Sequence, residues 1–197
     1  MILYLHGFRS SPRSFKATLL AEAVRARGLG DEWRCPQLPA SPSHALALTN
    51  GLIEHAFPLG TAQTEHRLVL IGSSLGGYYA TCLARRWNCR AILLNPVIHA
   101  ARDLATQVGE HLPFHGGNAF TFRPEYVDEL AAMAVAPPAH PARYFLLAAT
   151  GDEVLDWREM AEWFRGCRQH IIDGGDHGLS DFANYLPEVL EFATAPA

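Results

Sequence analysis

The sequence predicts a three-layer α/β fold, with about six mostly parallel strands and helices on both faces. Three observations carry this. Short apolar runs alternate with longer amphipathic ones along the whole chain. Runs such as Arg67 to Ile71 (RLVLI) are near-continuously apolar, as strands covered on both faces must be. With 197 residues, 49% of them hydrophobic and 18% charged, the chain suits one sizeable core. Folding then hides about 70% of the surface that the unfolded form exposes.

The elements follow in order. Ile2 to Leu5 reads as the first strand. Ser11 offers an N-cap with Pro12 at the first helical position, and Phe15, Leu19, Leu20 and Val24 recur at helical spacing up to Gly28. A weaker strand is expected at Trp33 to Gln37. A second helix opens at Pro42 and Ser43. Arg67 to Ile71 is a buried strand, residues 75 to 87 a helix, and Ala91 to Leu94 the next strand. From His99 to Pro141 prolines and glycines accumulate around one short helix, Pro124 to Met133. This stretch reads as an insertion or partial lid within a single domain, 1–197. Tyr144 to Ala148 resumes the sheet. Asp156 and Glu159 suggest a capping box for a helix through Phe164. Gln169 to Ile172 is the last strand, followed by a helix through Phe182, Leu186, Val189 and Leu190.

Composition excludes several classes of function. Net charge is −4 and the 16 Lys and Arg are scattered, so no basic face for nucleic acid is expected. No apolar run approaches the roughly 20 residues that span a bilayer, and the N-terminal MILYLHG has no basic leader. A cytoplasmic location is therefore expected. Cys35, Cys82, Cys89 and Cys167 form no CxxC pair and read as inert thiols. His111 and His115 are four apart, but Pro113 intervenes and no HExxH glutamate accompanies them, so a loop and no metal site is expected.

The chemistry concentrates in Gly72-Ser73-Ser74-Leu75-Gly76. At this composition a GxSxG arises by chance in about one chain in twenty, so the string alone is not specific. Its setting is: a buried strand before it and a helix after it, the context of a nucleophile elbow. A nucleophilic serine needs a base, and the base needs an orienting carboxylate. Thr150-Gly151-Asp152-Glu153 follows one strand and Gly174-Gly175-Asp176-His177 follows the next. Both loops leave the edge where open α/β sheets place their ligands. Ser74 is thus the candidate nucleophile and His177 the base. Asp152 is the first candidate for the acid and Asp156 the second, with Asp173 and Asp176 on the same edge. The oxyanion hole is expected from the backbone N–H groups of Leu75 and of Phe8, with Arg9 next to it. His6, at the end of the first strand, suits a structural role. Leu112, Phe114, Phe120, Phe122 and Met133 either line an acyl site or pack the insertion onto the core.

LYLHGFRSSPRS near the start, GSSLGGYYA around Ser74, LLNP at 93–96, TGDEVLDW at 150–157 and GGDHG at 174–178 together resemble the YqiA-type esterases. The resemblance covers nearly the whole chain. It implies a reduced α/β-hydrolase fold lacking the usual first two strands, and a serine esterase acting through Ser74, His177 and an aspartate of TGDEVLD, of which Asp152 is favoured. Asp176 departs from the pattern, which has asparagine there. The implied substrate is a small carboxylic ester or thioester, with no cofactor, metal, nucleic-acid or membrane partner. The same residue set also suits an acyltransferase, an amidase, a C–C hydrolase or a catalytically silent binding module.

Overall fold

A computed structural model describes residues 1–195 of the chain. Six strands form one parallel sheet: β1 (Ile2–Leu5), β2 (Trp33–Arg34), β3 (Val69–Ser73), β4 (Arg90–Leu94), then, past a small hairpin of β5 (Gly109–His111) and β6 (Phe120–Phe122), β7 (Tyr144–Ala149) and β8 (Arg168–Ile172). Their order across the sheet is β2-β1-β3-β4-β7-β8. β1 and β3 are neighbours, and from them the chain winds outward in opposite directions. That reversal opens a crevice beyond the C-terminal ends of β1 and β3, the place where doubly wound sheets bind ligands.

Alternation along each strand divides the core in two. Leu3, Leu5, Leu70, Leu93 and Leu146 face α2 (Pro42–Ala56), α4 (Leu75–Trp87), α6 (Pro124–Ala132) and α7 (Trp157–Trp163). Ile2, Tyr4, Ile71, Ile92 and Leu147 face α1 (Phe15–Ala26) and α8 (Leu186–Thr194). Every residue of β3 and β7 is buried, which is why neither run alternates with polar residues. Each fully buried Leu or Ile contributes roughly 1.5–3 kcal/mol by removal from water. Two shorter helices, α3 (Thr61–Arg67) and α5 (Ala100–Ala105), complete the layers.

Several boundaries differ from the sequence reading. α1 starts at Phe15 and is capped by Ser14, whose hydroxyl accepts from the Ala17 amide. Ser11 instead begins a turn, its carbonyl accepting from Ser14 N at 3.0 Å and its hydroxyl from Arg13 N at 3.1 Å. β2 is two residues long, because Pro36 and Pro39 end its pairing. Asp156 caps α7 through the Arg158 amide, but Glu159 does not close a capping box; its carboxylate takes both terminal nitrogens of Arg102. The last helix is split, with a 3₁₀ turn at Phe182–Asn184 ahead of α8. The 99–141 stretch holds α5, the β5–β6 hairpin and α6, so His111 lies in a strand and only His115 in a loop.

Candidate active site

Ser74 sits between β3 and α4 with φ 54° and ψ −123°, a conformation that L-residues rarely adopt. Backbone bonds hold it there. Ser74 N donates to Leu94 O at 3.0 Å, and Ser74 O accepts from Gly77 N and Val97 N at 2.8 and 3.1 Å. The flanking glycines are demanded by close approach. A Cβ on Gly76 would sit on the Leu5 carbonyl and 2.7 Å from that of His6, and one on Gly72 would lie 2.7 Å from the Gly77 Cα. The β1–α1 loop also comes to this serine: a Cβ on Gly7 would be 3.1 Å from the Ser74 Cβ.

His177 Nε2 lies 3.0 Å from Ser74 Oγ, and His177 Nδ1 lies 2.8 Å from Asp152 Oδ2. The Asp152 side chain is wholly buried, and its Oδ1 accepts from the Val154 and Leu155 amides at 2.8 Å each. A buried carboxylate with three donors is fixed in position. Asp156 is half exposed at the start of α7 and is spent on its cap. Of the four aspartates on this edge, the structure therefore brings Asp152 to the imidazole. Asp173 takes only a 3.5 Å contact from the Thr150 hydroxyl. Asp176 turns away from His177, toward the amide and hydroxyl of Ser180, and these hydrogen bonds hold its carboxyl below the usual range.

Leu75 is the first residue of α4, so its amide has no carbonyl partner within the helix. Phe8 follows Gly7 and lines the same cavity as Ser74. Leu75 and Phe8 thus lie on the two loops expected to supply oxyanion donors. Arg9 has φ 60° and carries a different load: its carbonyl accepts from Phe114 N, its Nε donates to Leu112 O, and its guanidinium lies 4.4 Å from the Phe114 ring centroid. Arg13 reaches the His115 carbonyl. The 112–116 segment is thus strapped onto the β1–α1 loop. His6 is buried, with Nε2 accepting from Leu38 N at 3.0 Å, so the proton sits on Nδ1, which donates to Gly7 O at 3.0 Å. Burial pushes its pKa down, and the ring is a neutral brace for this loop.

Phe122 is fully buried and packs edge-on to Phe8, while Leu112 is exposed. Among the apolar residues of this region, only Phe114 lines the cavity that holds Ser74 and His177. That cavity measures about 250 Å³. A larger one, about 350 Å³, lies beside it across Gly7 and Phe8 and lacks both Ser74 and His177. Among the described residues no cluster of side chains suits a metal ion, and no helix is long and apolar enough to cross a membrane.

One residue of the site escaped the sequence reading. Asn95, at the end of β4, is fully buried with φ 41°. Its Oδ1 accepts from Ala149 N at 2.9 Å, and its Nδ2 donates to the carbonyls of Asp176 and His177 at 3.0 and 3.1 Å. It clasps the loop that carries His177. A polar residue ending an apolar strand (AILLNP) was the available signal.

Known structures share this architecture. A protein from Agrobacterium vitis S4 superposes with a TM-score of 0.74 at 16% identity, covering 97% of this chain and 87% of its own. Alpha/beta hydrolase domain-containing protein 10 from mouse gives 0.68 at 15% identity, covering 98% and 90%. An esterase from Pyrococcus furiosus gives 0.60 at 15%, covering 99% and 82%. At these identities the likeness concerns the fold, an α/β-hydrolase fold. The sequence itself matches a family profile over residues 1–194, and the chain belongs to that family, the Uncharacterised protein family UPF0227.

Proposed function

We propose that this protein is a serine hydrolase that cleaves carboxylic esters through an acyl-enzyme on Ser74. The observation that carries the reading is the continuous hydrogen-bonded line from buried Asp152 through His177 to Ser74 Oγ. Ser74 Oγ attacks the ester carbonyl as its proton passes to His177 Nε2. The carbonyl oxygen becomes an oxyanion, met by the amides of Leu75 and Phe8. Collapse breaks the C–O bond to the alcohol, which leaves with the proton from Nε2. Water then adds to the acyl-enzyme, gives its proton to His177, and the acid departs as that proton returns to Ser74. Asp152 keeps the imidazole with its N–H at Nδ1 and offsets the charge it carries between steps. The esterase among the structural relatives supports the same reaction class.

The test is labelling with a fluorophosphonate, with mass mapping of the adduct, beside p-nitrophenyl ester turnover by wild type and Ser74→Ala. Labelling at Ser74 and loss of turnover in the variant are expected. A folded wild-type protein that neither labels nor turns over ester between pH 6 and 9 overturns the proposal.

A further inference from the structure

The chain contains fifteen arginines and a single lysine, Lys16. That lysine lines the cavity of Ser74 and His177. Two features of its surroundings disfavour an ammonium. It lies in the first turn of α1, where the helix dipole repels a cation. Partial burial pushes its pKa down to about 8, against the attraction of Asp176 and Asp152. Among the described residues it has no carboxylate within salt-bridge distance and makes one hydrogen bond, to the Gly178 carbonyl. No Asp or Glu lines the cavity. The nearest acidic groups, Asp152 and Asp176, are committed to His177 and to Ser180. His115 also lines this cavity.

We infer that Lys16 binds an anionic group of the substrate, so that the site takes esters carrying a carboxylate or phosphate in addition to the scissile bond. This rests on the ester-hydrolase reading above. An anion in the cavity supplies the direct charge-assisted hydrogen bond that neither Asp152 nor Asp176, both committed elsewhere, makes with this ammonium. An arginine would keep its charge, but its planar fork replaces a point charge whose remaining N–H groups can turn toward a ligand. Phe114 and Phe15 supply the apolar walls of the same small cavity.

Two measurements test this. In the first, 13C-lysine incorporation gives one lysine side chain to observe. Ser74→Ala protein is titrated with monomethyl succinate, with 4-acetoxybenzoate and with inorganic phosphate, which separate an anion on the acyl half, on the leaving half, or on neither. Saturable displacement of the Lys16 ε signal and a rise in its titration midpoint are expected; no displacement by any of the three overturns the inference. Asp152, Asp176, His177 and His115 are the titrating groups around it, so the shift is read at the lysine itself.

The second measures the ratio of kcat/KM for 4-nitrophenyl glutarate over 4-nitrophenyl valerate, and for 4-acetoxybenzoate over 4-methylphenyl acetate. In Lys16→Met at least one ratio falls about tenfold or more, as expected for one charge-assisted hydrogen bond lost. A lysine that only ties down Gly178 lowers both members of each pair alike and leaves the ratios unchanged, which overturns the inference. If no ester turns over yet the lysine signal still responds, the hydrolase reading fails and the anion site stands.

Discussion

Replacing Asn95 separates the scaffold from the chemistry. Asn95→Ala removes three hydrogen bonds at once and leaves Ala149 N–H and the carbonyls of Asp176 and His177 without side-chain partners. Buried polar groups stripped of a partner cost about 1–3 kcal/mol each, and relaxation of the 174–178 loop recovers part of that. Alanine also tolerates a positive φ less well than asparagine, at about 1 kcal/mol. The expected loss is about 3–5 kcal/mol, read as a lower midpoint in urea at unchanged slope. Because the clasp ends on the His177 carbonyl, kcat for a p-nitrophenyl ester should fall about 10–100-fold with a smaller change in KM.

Asn95→Asp sharpens the test. The carboxylate still accepts from Ala149 N but turns an acceptor toward two carbonyl oxygens. Its folded pKa must then rise above the unfolded value near 4. The penalty is full at neutral pH and disappears as pH falls through the folded pKa, so this variant gains stability relative to wild type on acidification. If Asn95→Ala unfolds within about 1 kcal/mol of wild type, or if Asn95→Asp shows no relative gain at low pH, the clasp is not what holds the loop.

Three further outcomes follow from the same geometry. Gly76→Ala drives a methyl into the carbonyls of Leu5 and His6, and should cost at least about 3 kcal/mol or abolish soluble expression, read by urea unfolding. Asp152→Asn should lower kcat about 10⁴-fold through the wrong imidazole tautomer, whereas Asp156→Asn keeps a capping residue and changes stability by less than about 1 kcal/mol. Arg9→Ala together with Arg13→Ala releases the 112–116 strap, and limited proteolysis should cut there faster while the urea midpoint moves little, because both side chains are tied to exposed backbone.

The elbow geometry at Ser74 was legible because such a turn dictates its sequence. A serine raised on a strained turn needs an apolar strand before it, a helix after it, and no Cβ where Gly72 and Gly76 approach their neighbours. His177 was legible for a related reason, since loops after β7 and β8 must emerge at the same edge as the loop after β3 in a parallel sheet. The acid was narrowed but not decided. Asp152 and Asp156 both sit in TGDEVLDW, and what separates them is burial, total for one and half for the other, a property no local pattern encodes.

What stayed hidden depends on partners far away in sequence. Ser11 and Ser14 are both acceptable caps; the second wins because Ser11 is used in the turn that precedes the helix, its carbonyl bonding Ser14 N and its hydroxyl Arg13 N. Asn95 binds groups 54 to 82 residues downstream. The 112–116 segment is fixed by arginines about 100 residues upstream, through its own backbone carbonyls, which any residues there would present. Side chains that act on backbone leave no complementary mark in the partner's sequence. Tyr78 shows the same thing: it is buried in α4, yet its hydroxyl donates to Leu130 O at 2.7 Å and so pins α6 to α4.

The same logic explains why the site tolerates so strained a centre. Ser74 at φ 54° costs of order 1–3 kcal/mol, and its own side chain makes no cap bond that would repay it. The repayment comes from backbone bonds across three elements: Leu94 O, Gly77 N and Val97 N fix the serine's peptide groups on both sides. The histidine side is built alike, with Gly151 N donating to Gly174 O and Thr150 N to Ile172 O before Asn95 adds its clasp. Ser74 and His177 are therefore each held by the ends of β4 and β7 and not by one another. The 3.0 Å contact between them is a consequence of the sheet register, and replacing Ser74 by alanine should leave His177 and Asp152 where they stand.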